Sequence, residues 1–356
     1  MIYRKLGMTG VEVSAFCLGT MMFGRWGNTD VDECERIIHA ALDAGVNFVD
    51  TADVYAQGES EEIVGRALKA RRDDVVLATK VHGKMGGGRN RSGNSRRWII
   101  REVEDSLRRL GTDYIDLYQI HRPDPSTDIA ETLGALTDLV RAGKVRYIGC
   151  STFPAAQIVE AHWTSERNGL ERFVCEQPPY SILVRHIERD VLAVTQAYGM
   201  GVIVWSPLAG GWLSGKYRKG AKIPEDSRAA RIASYNAAVA PRFDLSLPVN
   251  QRKQELVEEL EVVADKAGLS LTHMANAFVL AHPSVTSAII GPRTMDQLRD
   301  LVDGADVSLE SETLDAIDEI VPPGTVVNDI DRGWSPPWME ASARRRQWSP
   351  GVLRTR

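Results

Sequence analysis

The chain has 356 residues, 43% hydrophobic and 26% charged, with a formal net charge of −5. That balance suits a globular protein of one large α/β domain or two smaller ones, and it argues against nucleic acid or an acidic membrane surface as a partner. No apolar run is long enough to span a bilayer, residues 1–6 lack a signal-like stretch, and Cys17, Cys34, Cys150 and Cys175 show no paired spacing. Reduced thiols, no membrane association and a cytoplasmic location are therefore expected.

Residues 3–13 read as two short strands around Gly7, Met8, Thr9 and Gly10, a hairpin suited to capping a closed barrel. Eight short apolar runs follow, at 15–18, 46–49, 75–79, 115–120, 145–149, 173–176, 202–205 and 286–290. Runs this continuously apolar suit parallel strands covered on both faces. Amphipathic helices are expected at 32–44, 95–110, 128–142, 155–167, 187–198, 251–267 and 295–302, several stopping at a glycine such as Gly45, Gly111 or Gly143. The alternation predicts a (β/α)8 TIM barrel with an N-terminal β-hairpin and long βα loops, the alternative being a doubly wound open sheet. Between the last two strands lies a turn-rich insertion at 210–250 and an extra helix near 271–281. The barrel is assigned to 1–321, and the Pro- and Arg-rich stretch 322–356 reads as an extension draped over the surface.

Candidate functional residues sit where strands end. Asp50 closes the second run and Tyr55 follows in its loop, Lys80 closes the third run, and His121 closes the fourth. In a parallel barrel these positions converge at one mouth. Reducing a carbonyl needs a hydride on carbon and a proton on oxygen, and the protein must supply the proton. Tyr55 is the candidate acid. An ammonium from Lys80 favours the phenolate, Asp50 keeps that ammonium charged, and His121 orients the carbonyl oxygen. The glycine-rich run from Gly83 to Arg89 is not a phosphate loop, because Arg89–Asn90 stands where Lys–Ser/Thr is required. No HExxH-like spacing occurs, and no metal is expected.

The stretch from Phe48 to Tyr55 (FVDTADVY) strongly resembles the aldo-keto reductase signature, in which an Asp precedes a catalytic Tyr by five residues. Further landmarks follow in order: Ala78–Thr79–Lys80, then Leu117 to His121 (LYQIH), Ile148 to Ser151 (IGCS), Gln177 to Ser181 (QPPYS), Trp205 to Leu208 (WSPL), and Ile290 to Leu298 (IGPRTMDQL). The likeness covers roughly residues 1–320 and is nearest to the branch holding potassium-channel β subunits and bacterial reductases. It implies a (β/α)8 barrel, NADPH as cofactor, and reversible reduction of a small aldehyde or ketone.

The resemblance also implies a cofactor seat. Ser151 and Gln177 would bind the nicotinamide carboxamide and Trp205 would stack on the ring. Ser206, Pro207, Leu208, Gly210 and Lys216 would follow the pyrophosphate, with Gly19, Thr20, Met21 and Asp50 on the other side. Gly291, Arg293 and Gln297 precede or open a helix whose N-terminus, with Arg293, would grip the 2′-phosphate and favour NADPH. Thr152 and Leu301 depart from the family pattern on the adenine side. The substrate pocket is expected from Met22, Phe23, Trp26, Tyr55, His82 and His121 with the loop Arg122–Pro123–Asp124, closed over by Trp334 and Trp338. Arg344, Arg345 and Arg346 suggest a solvated face or a contact between subunits of a homo-oligomer. Two other readings stay open: a nucleotide-sensing binding module of slow turnover, and an aldolase using Lys80 as a Schiff base.

Overall fold

The computed structural model describes residues 1–219, 222–225 and 227–339. An antiparallel hairpin, β1 (Tyr3–Lys5) with β2 (Glu12–Ser14), precedes eight parallel strands. These are β3 (Phe16–Gly19), β4 (Phe48–Asp50), β5 (Val76–Val81), β6 (Ile115–Ile120), β7 (Val145–Ser151), β8 (Cys175–Gln177), β9 (Gly201–Val204) and β10 (Ser287–Ile290). They pair in chain order, and β10 closes back on β3. All eight expected strands are present, shifted by a residue or two, and the open-sheet alternative falls away.

The closed cylinder divides the core into two parts. Inside it, Cys17, Phe48, Ala78, Leu117, Cys175 and Ile203 pack with Leu6 and Val13 of the hairpin. The hairpin thus plugs the end where the strands begin. At Gly7 (φ +55°) a Cβ would lie 2.6 Å from Gly199 O, so only glycine allows the plug to seat against the start of β9. Outside, the apolar faces of the helices bury the other side of each strand.

The helices are α1 (Val31–Asp43), α2 (Glu59–Leu68), α3 (Arg96–Leu110), α4 (Ile129–Arg141), α5 (Ala155–Asn168), α6 (Val191–Ala197), α7 (Arg228–Tyr235), α8 (Pro248–Lys266), α9 (Leu271–Ala281), α10 (Met295–Asp303) and α11 (Ser311–Ile320). Caps set their ends. Asp30, Ser95, Asp128, Ser270 and Thr294 each accept a backbone N–H of the first turn, and Gly111 and Gly169 end helices in left-handed conformation. The expected helix at 187–198 is instead a short 3-10 turn (His186–Arg189) and α6, broken at Asp190.

Residues 322–339 do more than drape the surface. Thr325 O accepts from Arg185 N (2.7 Å), and Val326 bridges Val184. Asp331 then pairs with Arg242 (2.6 Å) and Lys253 (2.5 Å). This returns the chain to the mouth, and Gly333 sits against Trp205. The cluster Arg344 to Arg346 lies outside the described residues.

Candidate active site

Asp50 is the last residue of β4, Lys80 is next to last in β5, and His121 follows β6 directly. Because side chains alternate along a strand, Lys80 points inside the cylinder while Thr79 points out to α2, where its hydroxyl donates to Glu61 (2.6 Å). Lys80 Nζ donates to Asp50 Oδ1 (2.5 Å), Thr51 O (2.8 Å) and Tyr55 Oη (3.4 Å), using all three of its protons. Asp50 Oδ2 accepts from Gln177 Nε2 (2.9 Å) and Gln119 Nε2 (3.1 Å). Burial by itself would lower the Lys80 ammonium, but Asp50 and then Tyr55 outweigh it and hold Lys80 above the ordinary lysine value. The ammonium is therefore charged, although its side chain is wholly buried.

Tyr55 reaches this cluster from a strained turn. Ala56 (φ +49°), Gln57 (φ +59°) and Gly58 (φ +100°) are consecutively left-handed and swing the chain into α2. Thr152 after β7, Ser206 and Ala209 after β9, and His82 and Asn90 after β5 also have positive φ, so the non-glycine residues of this kind all lie in the segments that follow barrel strands. Each left-handed one costs about 1–3 kcal/mol, which the packed barrel beneath must offset.

The His121 ring meets Tyr55 edge-on, with centroids 5.7 Å apart. Burial first, then the charges of Arg122 and Lys80, push His121 well below the usual imidazole range. It is neutral at physiological pH and offers one N–H donor.

These groups open into a cleft of about 860 Å³. Of the sequence candidates, Gly19, Met21, Met22, Trp26, Asp50, Tyr55, His121, Gln177, Trp205, Ser206, Pro207, Leu208, Gly210, Lys216, Gly291, Arg293 and Gln297 line it. Others stand back from the wall. Lys80 lies behind Asp50 and Tyr55. Thr20 bonds Ser60 (2.8 Å), His82 bonds Asn94 (2.8 Å), and Ser151 spends its hydroxyl on Gln177 O (2.8 Å). Phe23 is fully buried in the outer core rather than in the pocket. Trp334 and Trp338 pair edge-on with each other at 6.5 Å, and Ile330 and Gly333 take the wall in their place. Arg228, Arg231, Asn236, Val239, Arg242 and Asn276 also line the cleft, although they are not among the candidates that the sequence motifs single out. The i, i+3 spacing of Arg228 and Arg231 was the available signal for the first two.

The wall fits an extended, polyanionic, partly aromatic ligand. Trp205 presents a half-buried indole, while Lys216, Arg228 and Arg293 supply cations along the same cleft. Trp205 Nε1, Arg228 Nε and Asn276 Oδ1 are buried there without hydrogen-bond partners. A dinucleotide would satisfy such groups. Among the described residues no cluster of three metal-ligating side chains occurs, and no helix is long and apolar enough to cross a membrane.

Comparison with known proteins agrees with this geometry. The model of the aldo/keto reductase family matches residues 15–322. A probable voltage-gated potassium channel subunit beta of Arabidopsis thaliana is 39% identical over 332 residues, covering 90% of this chain and 97% of the relative. The uncharacterized oxidoreductase YrpG of Bacillus subtilis is also 39% identical, over 90% of this chain and 96% of its own. Versiconal hemiacetal acetate reductase of Aspergillus parasiticus is 34% identical, with 90% and 96% covered. The chain belongs to the aldo/keto reductase family and is an NAD(P)H-dependent oxidoreductase acting on small carbonyl substrates.

Proposed function

We propose that this aldo/keto reductase reduces aldehydes and ketones with NADPH, with Tyr55 as the general acid. The observation that carries the reading is the Lys80 ammonium held 3.4 Å from the Tyr55 oxygen by Asp50 and Thr51. The bound nicotinamide supplies a hydride, and the protein's part is the proton and the positioning. As Tyr55 gives up its proton, the ammonium stabilises the phenolate left behind. Asp50 keeps the ammonium charged, and Gln119 and Gln177 fix the carboxylate. Neutral His121 donates to the carbonyl oxygen and orients it toward Tyr55.

Gln177 would hold the nicotinamide carboxamide through Oε1, which has no partner among the described residues, and Trp205 would face the ring. Ser206 to Gly210 and Lys216 would follow the pyrophosphate. Arg293 would grip a 2′-phosphate at the start of α10, where Thr294 caps Gln297 N. This favours NADPH over NADH. A cytoplasmic setting suits the four unpaired, buried cysteines. A Schiff-base role for Lys80 is disfavoured by its charge and complete burial.

A panel of aldehydes and ketones, followed by loss of dihydronicotinamide absorbance, tests the proposal. Turnover with kcat/KM at least about tenfold higher for NADPH than for NADH is expected, and Arg293→Ala should narrow that ratio. Absence of turnover with either nucleotide would contradict it. The channel-subunit relatives favour a second reading, a nucleotide-holding subunit. Retention of NADPH for hours with negligible turnover of every carbonyl would select that reading instead.

A further inference from the structure

From Arg122 we infer that the preferred substrates are oxo acids: aldehydes or ketones carrying a carboxylate a few carbons from the carbonyl. The inference rests on the reductase reading above and names the substrate class for the same cleft.

Arg122 follows His121 directly and lines the cleft beside Tyr55 and Trp205. One edge of its guanidinium is used: Nη1 donates to His121 O (2.5 Å) and, at 3.4 Å, to Ser151 Oγ. Its Cζ lies 5.8 Å from the centroid of Trp205. The group is thereby fixed between the residue that orients the carbonyl and the indole across from it. Nε and Nη2 have no hydrogen-bond partner among the described residues, and neither is sealed away as a buried orphan.

Arg122 also has no carboxylate within ion-pair distance among the described residues. Four other sheltered arginines do have one, whereas Arg4 donates to backbone carbonyls and Arg228, in the same cleft, also lacks an ion pair among the described residues. Arg72 pairs with Asp116 (2.7 Å), Arg109 with Glu61 and Glu102 (both 2.6 Å), Arg185 with Asp318 (2.6 Å), and Arg242 with Asp331 (2.6 Å). Burial lowers the Arg122 guanidinium below its ordinary value; Tyr55 and then Glu176 act against this, but burial pushes Glu176 up to about 7 and Arg242 repels, so the compensation is incomplete. A desolvated cation left this way is expensive unless a ligand completes it. A planar fork with an open edge matches a carboxylate. The cations suited to nucleotide phosphates, Lys216 and Arg293, come from other loops, so the Arg122 charge is surplus to that task.

The experiment compares 4-oxobutanoate with its methyl ester in the wild type, in Arg122→Met and in Arg122→Lys, with NADPH binding measured in parallel. The wild type should prefer the acid by roughly 10- to 100-fold in kcat/KM, the range of a charge-assisted hydrogen-bonded pair. Added salt should reduce that preference. Arg122→Met should collapse the acid-to-ester ratio toward one, and Arg122→Lys should restore part of it. Equal rates for acid and ester in the wild type overturn the inference while leaving the reductase reading intact. An unchanged ratio in Arg122→Met, or a loss confined to NADPH binding, overturns it as well. No reduction of either compound, or of any carbonyl in the panel, is the failure of the reductase reading itself.

Discussion

Two buried charge clusters share strands β5 and β6, and they face opposite ways. Lys80 and Gln119 point inside the barrel to Asp50. Their neighbours Thr79 and Tyr118 point outward, toward Glu61, Glu102, Arg109 and Asp53 between α2 and α3. Both clusters are sheltered from solvent, and both hold a cation against carboxylates. Only the inner one opens on a cleft, through the half-buried Tyr55. The outer one is closed and carries an excess of acid, three carboxylates around Arg109. Buried charge is thus a poor guide to function by itself. What distinguishes the inner cluster is a titratable hydroxyl placed between the ammonium and the opening.

Substitutions that disable each cluster sharpen this contrast. Lys80→Met should have the largest effect. Turnover should fall by about 10²–10⁴-fold, and stability by about 3–5 kcal/mol because Asp50 stays buried without its cation. Steady-state kinetics and urea unfolding read the two losses. Arg109→Met should cost a similar amount of stability, since Glu61 and Glu102 lose their partner, yet the folded variant should keep kcat/KM within about threefold of wild type. A large kinetic loss at full folding would show that the outer cluster also serves the chemistry.

Asp53→Asn should have the smallest effect and the opposite sign. Burial, then Glu61 and Glu102, raise the Asp53 carboxyl well above its ordinary value, so the folded state favours its neutral form. Such a group adds stability at and below about pH 4, and that contribution is lost as pH rises toward the folded pKa. Asparagine does not titrate. The variant should therefore gain stability relative to wild type between pH 4 and pH 7.5 in paired urea titrations. A gap that shrinks or stays constant with pH would show Asp53 to be charged in the fold.

The same two faces show how much the sequence could reveal. Every barrel strand was legible, because a parallel strand covered on both sides is a short, continuous apolar run. The strand-end residues Asp50, Lys80 and His121 followed from the same rule. Helix α2 was not legible. It carries Gly65, whose Cβ would lie 2.5 Å from Leu110 O, so the residue that weakens its helical pattern is the one that lets α3 approach. Helix α11 escaped as well. In the turns, resolution failed at one-residue spacing: Met22 reaches the cleft and its neighbour Phe23 the core. The return of Ile330 and Gly333 to the mouth depends on ion pairs from Asp331 to Arg242 and Lys253, which lie far back along the chain. No local pattern announces such a pairing.

Single-turnover reduction of an aldehyde by Tyr55→Phe, at saturating NADPH with nucleotide affinity measured alongside, tests the central claim most directly. The hydroxyl is removed while the ring, Lys80 and Asp50 remain. We expect NADPH to bind within a few-fold of wild type and the chemical step to slow by about 10²–10⁴-fold. A chemical step at the wild-type rate would mean that another group delivers the proton.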